Sequence, residues 1–377
     1  MLLLILMVVV CSPPSLSGQT ADENAKRCNG SDPDLRIEGC TALIQSPQES
    51  AEKLAGLFES RGEAYLHRGD TDRAIQDFDQ AILHDPKLSL AFNSRGVAYH
   101  SKRDYDHAIQ DYSEAVRLDP KSAGAFQNRG NTYTVKGDYE HAIQDYVECL
   151  RLNPRMIDSY AMLGNAFLVK GEIDHAIQEF DQALQMSPTY FKALNSRGMA
   201  YFRKGETDRA IQDYDQALRL NPSYAEAFLN RGMAYSVKGD YGRATQDYDQ
   251  TLRLNPNYTE AYISRCRSRA MVGQLPEALA DCNQVLTFPI PSARALDIRV
   301  MRGVVYLKMK NPDAAIADYN AGLAVHPKWA LALYGRGLAE WMKGDQVAFE
   351  ADTTEAKSIQ GDIADKFVKW GVPAPTP

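Results

Sequence analysis

The chain has 377 residues and a formal charge of -7, from 42 lysines and arginines against 49 aspartates and glutamates, so it lacks the basic footprint of a nucleic-acid binder. Its 44% apolar residues and 20 tyrosines suffice for a continuous core. A length that would ordinarily divide into two or three globular domains is instead organised by a fixed internal period, which predicts one elongated array.

Residues 1–17 read as an export signal: an apolar run over 1–10, then prolines and small residues, with cleavage expected after Ser17 and Ser15 three residues before the cut. The run is too short to span a bilayer, so no stable membrane span is expected after cleavage. No lysine or arginine precedes it, so the signal is either atypical or begins upstream. Lipid attachment at Cys11 is disfavoured, because Val10 stands where lipoprotein signals carry glycine, alanine or serine.

Five cysteines remain after the signal, an odd number for an oxidising compartment. Residues 18–54 form an N-terminal cap. In it Cys28 and Cys40 flank a segment where Asp32 and Pro33 mark a helix start, so a disulfide between them would pin a short helix against the preceding coil. Cys149 reads as core.

Residues 191–224 show the repeating unit. Leu194, Gly198 and Tyr201 share one helical face; after a break at Lys204 and Gly205, Ala210, Tyr214 and Ala217 share another; Asn221 and Pro222 stop the second helix. Units begin at 55, 89, 123, 157, 191 and 225 without an insertion. Gly62, Gly96, Gly130, Gly164, Gly198 and Gly232 mark their first helices, and Ala74, Ala108, Ala142, Ala176, Ala210 and Ala244 their second. Glycine facing a small residue lets paired helices approach closely.

The period of 34 resembles the tetratricopeptide repeat, with glycine at position eight, aromatics at eleven and twenty-four, alanine at twenty, a small residue at twenty-seven and proline at thirty-two. The resemblance implies an all-α, right-handed superhelical solenoid of about nine helix-turn-helix repeats over 55–360, with N- and C-terminal capping helices. The seventh repeat departs from the pattern, with Cys266 for glycine, Arg269 for the first aromatic and Cys282 for the second. Cys266 and Cys282 therefore face each other either as a bridge or as buried thiols. Three extra residues follow and predict a local kink before Gly303 restores the pattern. The ninth repeat is degenerate, with Phe349 and Thr353 at core positions. Residues 361–371 read as a final amphipathic helix burying Ile363, Phe367 and Trp370, before a disordered tail ending at 377.

One feature exceeds the family signature. Arginine at position seven accompanies aspartate at position twenty-three in eight repeats: Arg61 with Asp77, Arg95 with Asp111, Arg129 with Asp145, Arg197 with Asp213, Arg231 with Asp247, Arg265 with Asp281, Arg302 with Asp318 and Arg336 with Asp352. In the fourth repeat both change, to Leu163 and Glu179. Joint departure predicts contact, since a guanidinium fork matches a carboxylate.

No catalytic, cofactor-binding or metal site is expected. His107, His141 and His175 recur every 34 residues, but at a position where other repeats place Arg73, Arg209 and Arg243, which makes it a solvated face. Neighbouring helices lie about 10 Å apart, whereas metal ligands must each approach within about 2 Å. The glycosylation-like triplets at Asn29 and Asn257 are read as chance. The resemblance places first helices along a concave groove. There a polar series of Asn93, Gln127, Asn128, Asn131, Asn165, Asn195, Asn230 and Ser264 is interrupted by Met199, Phe202, Leu229, Met233 and Ile263. A row of asparagines could hold an extended backbone, with apolar pockets beside it. The family's lysine-asparagine clamp for a C-terminal carboxylate is absent. The expected function is a non-enzymatic, exported scaffold of bacterial, periplasmic type, binding a protein or peptide segment through Asn131, Asn165, Asn195, Met199, Phe202, Asn230, Met233 and Arg267. The alternative is a structural component of an envelope assembly that uses convex or terminal faces.

Overall fold

The structure, a computed structural model, describes residues 21–46 and 50–372; the signal reading, Cys11 and the tail beyond 372 lie outside them. The described residues are helical, with no strand among them. They divide into two compact units, one ending at Lys170 and the other starting at Gly171.

The first unit holds α1 (Ala21–Cys28), α2 (Pro33–Ile44), α3 (Ala51–His67), α4 (Thr71–His84), α5 (Ser89–Ser101), α6 (Tyr105–Leu118), α7 (Ala123–Lys136), α8 (Tyr139–Leu152) and α9 (Ile157–Lys170). The second holds α10 (Ile173–Met186), α11 (Phe191–Lys204), α12 (Thr207–Leu220), α13 (Ala225–Val237), α14 (Tyr241–Leu254), α15 (Thr259–Met271), α16 (Leu275–Val285), α17 (Ser292–Lys308), α18 (Pro312–Leu323), α19 (Ala330–Met342), α20 (Gln346–Ile359) and α21 (Ile363–Lys369). Within each unit every helix packs on the next. First helices of successive hairpins also touch, α5 on α7 and α13 on α15 among them, whereas successive second helices do not. First helices therefore form the inner row.

Local chemistry sets the boundaries. Asp70, Asp104, Asp138 and Asp240 each precede a second helix, and their carboxylates accept from the backbone N–H of Arg73, His107, His141 and Arg243, capping donors that have no partner within the helix. Gly205 ends α11 at φ +87°, a left-handed conformation that costs a residue without Cβ little. Inside the hairpin, a Cβ placed on Gly198 would lie 2.7 Å from Cε1 of Tyr214, so the glycine is required for the aromatic ring to lie against the facing helix.

All eight predicted arginine-aspartate pairs meet. Each arginine donates through Nε and one terminal nitrogen to both oxygens of its aspartate, as in Arg61 to Asp77 (2.8 and 2.7 Å), Arg197 to Asp213 (2.8 and 2.7 Å) and Arg302 to Asp318 (2.7 and 2.6 Å). The other terminal nitrogen reaches back to the preceding hairpin: Arg95 to Asp79, Arg197 to Asp181, Arg231 to Asp215 and Arg265 to Asp249, each at 2.6 Å. One side chain thus ties three helices. Hydrogen bonds to Asp77, Asp145 and Asp318 push the guanidinium pKa of Arg61, Arg129 and Arg302 further up, so these cations stay charged. In the fourth repeat Leu163 is buried, and burial raises the pKa of Glu179, against a smaller opposing effect of His175.

Both disulfides are formed. Cys28–Cys40 joins α1 to α2, so what precedes the capped helix is a second helix rather than the coil expected. Asp32 caps α2 and Pro33 opens it, as the sequence indicates. Cys266–Cys282 joins α15 to α16 and settles the alternative left open there, taking the place of the glycine-on-aromatic contact used elsewhere. Arg269, which replaces the aromatic, joins Arg265 on Asp281 and Asp249. The three extra residues are accommodated by an early end to α16, at Val285, and a longer α17 of 17 residues. Cys149 is a buried free thiol. In α21, Ile363 and Phe367 are fully buried, but Trp370, which follows the helix and was expected in the core, is only partly covered.

Candidate functional site

Two adjoining cavities open along the inner row of the second unit. One, of about 150 Å³, is lined by Phe202, Met233, Val237, Tyr248 and Arg267 among others. The next, of about 430 Å³, shares Met233, Ser264 and Arg267 with it and continues past Ile263 and Met301 to Trp329 and Trp370. Sharing those three residues makes the two cavities one trough, running across α11, α13, α15 and α17 to the edge of α19. The longer α17 contributes Arg294 and Asp297 to its wall. Arg294 is held by Glu260 on α15. Arg267 is exposed and has no ion pair or hydrogen bond within the described residues.

Three of the sequence-selected residues, Phe202, Met233 and Arg267, therefore come together. Met233 is 40% exposed and Phe202 is half-buried, so neither is simply core. Met199 and Asn230 are half-buried on the same row but outside the trough lining. Asn195 is corrected: it is 3% exposed, and its side-chain oxygen accepts from Asn230 Nδ2 at 3.0 Å. Leu229 is likewise buried, in the core around Tyr248.

The asparagine row has a physical role that the sequence reading missed. Position five of one first helix meets position six of the next, so Asn128 donates to Asn93 (3.0 Å) just as Asn230 donates to Asn195. Gln127 donates to Ser159 at 2.9 Å, and Asn131 accepts from the Tyr146 hydroxyl at 2.8 Å. These amides join structural elements to one another, which leaves fewer of them for a ligand backbone. A separation of 35 residues, one more than the period, was the available signal. Asn165 is half-buried on α9 and, like Asn131, belongs to the first unit.

The first link of this kind is acidic. Glu59 accepts from Ser94 Oγ at 3.1 Å and is buried. Burial, with Glu63 nearby and only partly offset by Ser94 and Arg36, pushes its pKa up to about 7. A folded-state pKa above the unfolded value means that its stability contribution is complete below about 4.5 and is lost as pH rises through about 7. Glu59→Gln should therefore melt with the wild type at pH 4.5 and above it at pH 8. An unchanged difference across that range, followed by circular dichroism, would show that Glu59 does not titrate there.

The histidine series is explained by the same register. His107 and His141 each contact the acidic residue three positions earlier, at 2.7 Å to Asp104 and Asp138, and stack on Tyr99 and Tyr133. Arg209 and Arg243 do the same on Tyr201 and Tyr235. Histidine and arginine here are interchangeable surface caps.

No helix among the described residues is long and apolar enough to cross a membrane. Comparison with curated proteins gives no match. Among solved structures, a chain of the APC/C hetero-tetramer Cut9-Hcn1 aligns over 92% of this chain and 86% of its own length, at 16% identity and TM-score 0.52. The pilF protein of Pseudomonas aeruginosa aligns over 56% and 97%, at 22% identity and TM-score 0.50. The C-terminal part of a TPR repeat-containing protein from Cytophaga hutchinsonii aligns over 63% and 97%, at 21% identity and TM-score 0.50. These likenesses concern the fold. A family described as TPR repeat matches residues 164–205 and 198–238, and two described as Tetratricopeptide repeat match 60–123 and 300–357, and 123–156 and 225–258. Because these matches reach into both units and follow the 34-residue register of the hairpins, the chain belongs to the tetratricopeptide repeat family of protein-interaction scaffolds.

Proposed function

We propose that this protein is an exported, non-enzymatic scaffold that takes a peptide segment of a partner protein in the trough of its second unit. The observation that carries the reading is the pair of joined cavities, in which Phe202, Met233 and Arg267, on the successive first helices α11, α13 and α15, leave apolar surface beside a cation. Apolar side chains in a concavity supply binding energy, and the unpaired cation supplies orientation. Met199 and Asn230 flank the trough. Asn131 and Asn165, on α7 and α9, are proposed separately as groove positions of the first unit. Two disulfides in a chain of this composition fit an oxidising compartment, and the periplasm is the proposed location.

Phe202→Ser tests the reading. A residue that is core costs on the order of 3 kcal/mol when cut down, whereas a trough wall costs far less. We expect a melting temperature within a few degrees of wild type together with at least tenfold weaker partner binding. A destabilised variant that binds its partner normally would reject the trough.

A further inference from the structure

We infer that the trough selects an extended segment carrying an internal acidic side chain with large apolar side chains on both sides of it, the carboxylate pairing with Arg267. The inference rests on the trough being the binding surface and adds the chemistry of its occupant. Three observations support it. Arg267 is an exposed guanidinium without an ion pair, whereas the other arginine of the trough, Arg294, is already matched by Glu260. Arg267 also lies where the two cavities join, since it lines both. On one side of it the walls are Phe202 and Val237, and on the other Ile263, Met301 and Trp329.

This placement fixes the source of the carboxylate. A chain ending at Arg267 would fill one cavity and leave the other to water, so a C-terminal carboxylate uses half the surface. An internal aspartate or glutamate lets the chain pass through. In an extended strand, side chains two residues apart point the same way and lie roughly 7 Å apart. Apolar residues two positions before and after the acid then reach the two cavities. Although Asp297 and Glu260 also line the trough, neither is ion-paired with Arg267, whose guanidinium offers a two-point hydrogen-bonding edge, and such charge-assisted bonds are stronger than neutral ones.

The test uses the full mature chain and fluorescein-labelled nonapeptides, acetylated and amidated, with central glutamate and leucine or phenylalanine two residues to either side. Companion arms place glutamine or lysine at the centre, or end the peptide there with a free carboxylate. Fluorescence anisotropy should show glutamate peptides binding about tenfold or more tightly than glutamine peptides, with lysine peptides weakest. Arg267→Gln should erase the glutamate preference without changing the melting temperature, Arg267→Lys should retain part of it, and Met233→Ser should weaken glutamate and glutamine peptides alike. Equal binding of glutamate and glutamine peptides, or preference for the free carboxylate, overturns the inference; if Met233→Ser still weakens binding, the trough itself stands. Failure of every peptide to bind the wild type also overturns it, and the trough is then judged by crosslinking from its walls.

Discussion

Arg231→Met is expected to destabilise the second unit by about 3–5 kcal/mol, the range for removing one partner of a buried ion pair. The carboxylate of Asp247 is 4% exposed and receives Nε and a terminal nitrogen of Arg231 at 2.9 and 2.6 Å. Methionine fills the aliphatic part of the arginine site but leaves this carboxylate buried without its cation. The second contact of Arg231, to Asp215 on α12, is more open to solvent and adds little. Most of the cost is the stranded charge, so Arg231→Met with Asp247→Leu should regain much of it. Urea unfolding of the two variants checks the sign. A single variant as stable as wild type would mean that the pair aligns the hairpin without holding it.

Replacing Cys266 and Cys282 together by alanine should cost about 3 kcal/mol, the value for a disulfide closing a loop of roughly this length. Their sequence separation is 16, and both are buried. Elsewhere the same contact is made by an aromatic ring over glycine, as with Tyr248 against Gly232. The alanine variant has neither ring nor bridge and leaves a cavity in the core containing Val285 and Ile298. Cys266→Gly with Cys282→Tyr should recover part of the loss by restoring the usual packing. Reductant should lower the melting temperature of the wild type and leave that repaired variant less affected. An alanine variant that melts with oxidised wild type would remove the bridge from the account.

Much of the fold was legible because the constraint repeats. A glycine needed under a ring, as at Gly198 and Tyr214, leaves the same mark every 34 residues, and so does an arginine that must reach a buried aspartate. Contacts between repeats were less legible. Asn195 and Asn230 look like exposed groove polars on a single-helix projection, yet neighbouring first helices touch and turn them toward each other. Trp329 and Trp370 were missed as site residues because neither lies on the face of a first helix. Trp329 precedes α19 where Tyr190, Tyr224 and Tyr258 precede other first helices, and Trp370 follows α21, which has no counterpart in the regular repeats. Phe202, Met233 and Arg267 stood out as apolar or cationic side chains on a mostly polar row, but Leu229 stood out in the same way and is core, so only the contacts between helices separate the trough lining from it.

Photo-crosslinking in the native cell measures the central claim most directly. A diazirine amino acid is placed singly at 202, 233 and 267 on the inner row, and at Leu220 and Leu254, exposed ends of second helices. Trough positions should give adducts mapping by mass spectrometry to one short segment of one partner, and Leu220 and Leu254 should give none. Adducts from Leu220 and Leu254 alone, with the trough positions silent, would contradict it and favour assembly through the outer faces.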